Sequence, residues 1–233
     1  MDIKKHIRKE QERIHQLVTK EFPSYYLTGG TALAFHFNHR FSEDLDFFTQ
    51  EYSKTTADEI MKFVTQKTDY PFQLVFEQDN PKLLPIKMYT LAIGHDLPLK
   101  VDIVQDPYEN IRDIKNGMHS IEDIYCRKIY IALNPRHASI DDTGREVTTT
   151  RQEAKDIFDI YYLSENFQLL EEFFQKYFSA KLFPRLDAWY RSLDRREMTI
   201  DLGERIENTD PRKIFKHLDD QIIRGLGKKL NLN

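Results

Sequence analysis

Asp44 and Asp46 stand two residues apart in the run Phe41-Ser42-Glu43-Asp44-Leu45-Asp46-Phe47-Phe48-Thr49, which reads as a β-strand. On a strand, alternate residues project from one face, so these carboxylates lie side by side while Leu45 and Phe47 point the other way. At about 4 Å two such charges repel by roughly 4 kcal/mol at an effective dielectric near 20, and a shared divalent cation reverses that penalty. Magnesium suits the pair, since it takes one or two carboxylates and completes its shell with water and substrate phosphates; manganese is the other candidate. A third acid interrupts the apolar run Leu99-Lys100-Val101-Asp102-Ile103-Val104, where a carboxylate is rarely buried without a partner. If the two strands are neighbours, Asp102 completes a site for two ions. One would activate an attacking hydroxyl, and the other would steady a nucleoside triphosphate and its leaving pyrophosphate.

Upstream lies Leu27-Thr28-Gly29-Gly30-Thr31. Paired glycines let backbone approach a ligand closely, and a helix beginning at Thr31 directs free N–H groups and its positive dipole end at a phosphate. Thr31 adds a hydroxyl donor. Taken singly these signals are weak: an Asp-x-Asp pair is as readily a pair of caps or solvated acids, and Gly-Gly is only a turn signal. Turn, hydroxyl, spaced pair and later strand acid, in that order, carry the expectation together.

The elements that must position these residues can be read from periodicity. A helix over about Asp2 to Glu21 ends before Pro23, Tyr25 to Thr28 forms a strand, and Thr31 to Phe37 forms the helix after the glycines. After the Asp44 strand come a helix near Thr56 to Thr65 and strands at Phe72 to Glu77, Ile86 to Ile93 and Leu99 to Val104. Helical patterns then follow at Ser120 to Leu133, Thr150 to Leu163, Gln168 to Phe178, Pro184 to Leu193 and Pro211 to Leu226, with an exposed loop over Asn134 to Thr149. The expected fold is therefore an α/β domain with a mixed sheet and flanking helices over residues 1–116, followed by a helical domain over 117–233.

Composition narrows the classes. With 40% hydrophobic and 12% aromatic residues the chain can bury a core, and one cysteine, Cys126, excludes an intrachain disulfide and a cysteine-rich zinc site. Cys126 is expected in the core. No stretch approaches a membrane span and the first residues lack a signal-type apolar segment, so a cytoplasmic location is expected. The balance of 34 basic and 38 acidic residues, a net charge of -4, excludes a general polycation, so any RNA contact must be local. Lys181 to Arg196 and Arg205 to Lys229 are the two basic stretches, and solvated helix faces explain them equally simply. The histidines show no metalloprotease spacing.

The order Gly29-Gly30, Asp44-x-Asp46, then Asp102 resembles the nucleotidyltransferase superfamily with the DNA polymerase beta type of core. More narrowly, Gly29-Gly30-Thr31-Ala32-Leu33 followed by His39-Arg40-Phe41-Ser42-Glu43-Asp44-Leu45-Asp46-Phe47-Phe48 resembles the AbiEii/AbiGii toxin family of abortive-infection and toxin–antitoxin systems. That family carries a lysine on one helix and a basic-Asp pair on the next, matched by Lys128 and Lys155-Asp156, so the resemblance spans about Leu27 to Leu163. It implies a nucleotidyltransferase-type core using two magnesium ions held by Asp44, Asp46 and Asp102, with Gly29, Gly30, Thr31, Arg40 and Lys128 toward the nucleotide. Asp156 would be catalytic or nucleotide-orienting. It further implies an NTP substrate, a tRNA 3′ end as acceptor in some members, and a separate antitoxin protein. The residues themselves agree with part of this: Ile121, Ile124, Tyr125, Lys128, Ile131 and Ala132 share a helical stripe, which puts a cation among core residues, and Asp156 and Asp159 flank the next helix's apolar face. A salt bridge from Asp156 to Lys128, Arg151 or Lys155 is the simpler alternative. His39, Arg40 and Ser42 are expected to brace the loop that presents the acids. Two other functions stay open, a nucleotidyltransferase with a small, antibiotic-type acceptor and an inactive nucleotide- or antitoxin-binding module.

Overall fold

The computed structural model describes residues 2–78, 83–94, 97–140, 146–150, 153–207 and 209–227, with backbone alone over 135–140 and 146–150. Two units separate by their internal packing, Met1–Ile124 and Tyr125–Asn233.

In the first unit, the Asp2 carboxylate accepts from the Lys5 backbone N–H at 3.3 Å and caps α1 (Ile3–Glu21), whose buried face carries Ile14 and Val18. β1 (Tyr26–Thr28) leads directly into α2 (Gly29–Phe37), which starts two residues before the expected Thr31. Gly29 makes this possible, because its φ of 71° provides an abrupt strand-to-helix reversal without a Cβ penalty. β2 (Asp44–Thr49) is shorter than expected, and α3 (Lys54–Thr68), capped by Ser53, is longer. β3 (Phe72–Glu77), β4 (Ile86–Ala92) and β5 (Pro98–Gln105) complete the sheet, and α4 (Ile121–Leu133) runs across the division between the units.

The sheet order is β1-β2-β5-β4-β3, with β2 and β5 parallel and the other pairs antiparallel. One face is core: Leu45, Phe47, Tyr89, Leu91, Val101 and Ile103 are at most 1% exposed, and each such side chain contributes about 1.5–3 kcal/mol of burial. Asp58 of α3 holds both Lys87 and Tyr89 of that face, at 2.8 and 2.7 Å, which fixes α3 against it.

The second unit is mostly helical: α5 (Ala154–Asn166), α6 (Leu170–Tyr177), α7 (Phe183–Ser192), α8 (Arg195–Arg205) and α9 (Pro211–Leu218), the last continuing as π-helical turns over Asp219–Leu226. Within the span expected as a loop, Asn134 to Thr149, β6 (Pro135–Ile140) and β7 (Glu146–Thr150) instead pair antiparallel. The run Val147-Thr148-Thr149-Thr150 is β-branched throughout, and that propensity outweighs the polarity that made it read as loop. Gly144 of that loop lies outside the described residues. α8 escaped the sequence reading because only Met198 and Leu202 are buried along it; the Asp194 carboxylate, accepting from the Arg196 and Glu197 N–H groups, starts it. Cys126 is buried, 4% exposed.

Candidate active site

β2 lies directly beside β5, in a register that sets Asp46 opposite Asp102 and Asp44 opposite Lys100. Residues paired across two strands share a face, so Asp44, Asp46, Lys100 and Asp102 all project from the side of the sheet opposite the core. Strands pair about 4.8 Å apart, so Asp102, far from Asp44 and Asp46 in the chain, comes to lie beside Asp46. Lys100 sits among them, its Nζ 2.8 Å from the Asp102 carboxylate. Burial pulls the Lys100 ammonium down, but its hydrogen bond to Asp102 and the charges of Asp102, Asp46 and Asp44 hold it above the ordinary lysine value. The lysine thus senses all three carboxylates at once.

Among the described residues no group of three or more His, Cys, Asp or Glu side chains is placed to hold a metal ion, Asp44, Asp46 and Asp102 included. The acids are instead balanced by an ammonium whose side chain is 46% exposed. Their donor set is entirely carboxylate oxygen, which fits a hard divalent cation.

The Gly-Gly turn is built against this cluster. A Cβ at Gly29 would lie 2.5 Å from Asp46 Oδ2, and one at Gly30 would lie 2.6 Å from Arg40 Nη2 and 3.1 Å from Ser42 Oγ. Glycine is what lets the carboxylate and the guanidinium sit on the turn. The Thr31 hydroxyl donates to the Asp44 carbonyl, so it ties α2 to β2, and the first-turn N–H groups of α2 are what the helix offers a phosphate. Ser42 Oγ donates to Asp44 Oδ1 at 3.3 Å, and Arg40 Nη1 donates to the Phe41 carbonyl at 3.0 Å.

Three supporting residues have no signal in the sequence. Gln11 Nε2 on α1 donates to the Ser42 and Asp44 carbonyls at 3.0 and 3.2 Å, fixing the entry to β2. His119, fully buried, places its ring 2.8 Å from the Thr28 hydroxyl and 3.0 Å from Asn110 Oδ1, while its backbone N–H binds the Leu27 carbonyl. Lys100 is the third. Gln11 and His119 act across a long stretch of chain, so periodicity could not expose them, whereas Lys100 lies two residues from Asp102 on the same strand face.

In the second unit Lys128 and Asp156 do come together. Lys128 Nζ lies 2.8 Å from Asp156 and 2.7 Å from Asp159, and all three residues are buried, the lysine 6% exposed. The salt bridge that was the simpler alternative for Asp156 therefore exists, with Asp159 as a second arm. Lys155 pairs with Glu153 at 3.2 Å, and Arg151 lies outside the described residues. In the basic stretches Arg191 pairs with Asp187, Arg195 with Asp219 and Arg224 with Asp220, as on solvated helix faces; Lys228 and Lys229 lie outside the described residues.

A mixed sheet with registered acids on its parallel pair, behind a helix that starts at Gly-Gly, is the frame of a nucleotidyltransferase. The family model described as nucleotidyl transferase AbiEii toxin, type IV toxin–antitoxin system, matches residues 17–228, and the chain belongs to that family of nucleotidyltransferases. The match continues well beyond Leu163, where recognisable motifs end. Among solved structures the chain is similar to JHP933 from Helicobacter pylori, with 19% identity, a TM-score of 0.64 and coverage of 99% of this chain and 94% of that one. A putative nucleotidyltransferase from H. pylori aligns with 20% identity, a TM-score of 0.61 and coverage of 96% and 95%. At these identities the likeness bears on the fold. No curated protein matches. Among the described residues no helix is long and apolar enough to cross a membrane.

Proposed function

We propose that the protein transfers a nucleoside monophosphate from an NTP to an acceptor hydroxyl, that the acceptor is an RNA, specifically the 3′ end of tRNA, and that the activity is the toxic arm of a system with a separate antitoxin protein. The observation that carries the transfer chemistry is the side-by-side register of Asp46 and Asp102, with Asp44 on the same face and the start of α2 beside them. Asp44, Asp46 and Asp102 would hold two magnesium ions, with manganese as a substitute. Bound there, the ions supply charge neutralisation and a lowered pKa for the acceptor hydroxyl.

In the step itself the acceptor oxygen bonds to the α-phosphorus and the bond to the bridging oxygen of pyrophosphate breaks. The chain's task is to position both ends and hold charge. Gly29, Gly30 and Thr31 present N–H groups to the phosphates, Arg40 adds a cation above the turn, and Asp102 supports ionisation of the hydroxyl. Lys128 and Asp156 are assigned to the triphosphate and to nucleotide orientation by family position. In this reading residues 1–116 are the transferase core and 117–233 the unit that contributes those two residues. The cytoplasm, where NTPs and tRNA are found, is the proposed location.

The test is incubation of the purified protein with magnesium, each labelled NTP in turn and total RNA. Label on tRNA that disappears with Asp46→Ala, in a variant that still folds, supports the reading. Label on a small acceptor alone replaces RNA by a small substrate, and NTP binding without pyrophosphate release reduces the protein to a binding module.

A further inference from the structure

The strand register continues the row of site residues outward. Thr28 pairs with Asp46, Asp46 with Asp102, Asp102 with Met88 and Met88 with Phe76, so one line of side chains crosses the sheet on the side away from its core. Its inner members are polar and acidic, whereas its outer members are a thioether and a phenyl ring. Phe76 is 45% exposed although it belongs to an edge strand. It lies two strand spacings, about 10 Å, from Asp102. A β-bulge between Leu74 and Phe76 makes this possible: without it, alternation would turn Phe76 to the same face as Leu74, which pairs with the core residue Tyr89.

Among the described residues the register puts no acid on this outer shelf. By register Ile86, Met88 and Thr90 of β4 and Gln73 and Phe76 of β3 share the face, while Glu77 pairs with Lys87 on the other side, where Lys87 reaches Asp58. Among the described strand residues of this face the acids stand on β2 and β5. An acceptor for the proposed reaction must bring a hydroxyl to Asp102 and keep the rest of itself away from three carboxylates. An apolar and aromatic shelf one strand further on meets both needs for a molecule with flat π-faces joined by a charged backbone.

We infer that Met88 and Phe76 form a stacking platform for the terminal bases of a single-stranded nucleic-acid acceptor, leaving its 3′ hydroxyl beside Asp102. The inference rests on the RNA reading given above and specifies where that RNA lies. Stacking accepts every base because each has a π-face, so the platform supplies affinity without sequence choice.

The test uses the full chain with magnesium and a 5′-fluorescein-labelled, unstructured RNA heptamer bearing a free 3′ hydroxyl, its binding read by anisotropy, with Mg-NTP binding read separately. Phe76→Ala is expected to weaken RNA binding roughly tenfold, Met88→Ala less, and Phe76→Trp to restore it, while NTP affinity holds. RNA binding unchanged in Phe76→Ala overturns the platform and leaves the RNA reading standing. A wild-type protein that neither binds nor labels RNA removes the RNA reading and the platform with it. Loss of NTP affinity alone would assign the shelf to the nucleotide base. A wild-type dimer that Phe76→Ala converts to monomer in sedimentation would assign it to a second copy. Either result overturns the inference.

Discussion

Asp46→Asn should stabilise the fold while abolishing nucleotidyl transfer. The register places the Asp46 and Asp102 carboxylates about one strand spacing apart, on a half-buried and a 6% exposed residue. Two charges about 5 Å apart at an effective dielectric near 20 repel by roughly 3 kcal/mol. Lys100 bridges Asp102 at 2.8 Å and attracts Asp46 as well, and water reaches Asp46, so the attraction lost and the screening together cut the net gain to about 1 kcal/mol. Asparagine has the shape of aspartate and still fits against Gly29, so no cavity or clash offsets that gain. For a chain of this length the melting temperature should rise by about 2–4 °C. Thermal unfolding in EDTA, repeated with saturating magnesium, is the measurement. Wild type should gain more from magnesium than the variant, because ligand bound to the native state stabilises by mass action and the variant has lost a donor. An Asp46→Asn protein less stable than wild type in EDTA, or equal stabilisation of both by magnesium, would refute the reasoning.

Other outcomes follow from the same geometry. Lys128→Met removes the ammonium that reaches both buried Asp156 and Asp159, and should cost about 3–5 kcal/mol by urea unfolding, far more than Lys100→Met. Gly29→Ala must hold an L residue at a φ of 71° and move the Asp46 carboxylate from 2.5 Å, so it should lose about 1–2 kcal/mol and most transfer activity, whereas Gly203→Ala, on an open helix face, should be silent or stabilising. Lys100 titrates above its ordinary value, so its contribution to stability is complete below about pH 10.5 and is lost as pH rises through the raised folded value; Lys100→Gln should remove that alkaline component from a stability–pH profile.

Much of the site is visible in the sequence because its chemistry is local. Asp44 and Asp46 share a face by period alone, and Gly29-Gly30 announces a backbone that must pass close to something. Asp102 was visible as an acid in an apolar strand, but its position beside Asp46 needed the parallel pairing of β2 with β5, which no pattern within either strand encodes. The same holds for Gln11 and His119, whose partners lie 31 and 91 residues away. Thr31 is instructive in another way: its hydroxyl, read as a donor for a ligand, is used by the Asp44 carbonyl. A hydroxyl at a helix start has two uses, and sequence does not distinguish them. Polarity misled at β6 and β7, where β-branched residues favour strand pairing, and α8 is too polar for its period to show.

The two lysines beside aspartates illustrate what separates an exchangeable site from a fixed one. Lys100 balances its acids with a side chain 46% exposed, so replacing it by a divalent ion breaks one ion pair at 2.8 Å while water can take up the released ammonium. Lys128 is 7% exposed at its side chain and held by two carboxylates at 2.8 and 2.7 Å. Withdrawing it would strand two buried charges, each costing several kcal/mol. A phosphate that recruits Lys128 must therefore be met without dismantling the triad. The charge on the two acids then tunes how strongly the lysine attracts it: Asp159→Asn should raise the net charge of the triad by one and tighten NTP binding, measurable by titration in magnesium. Unchanged or weaker NTP affinity in Asp159→Asn, with the fold intact, would restrict Lys128 to holding α4 and α5 together and withdraw it from the nucleotide.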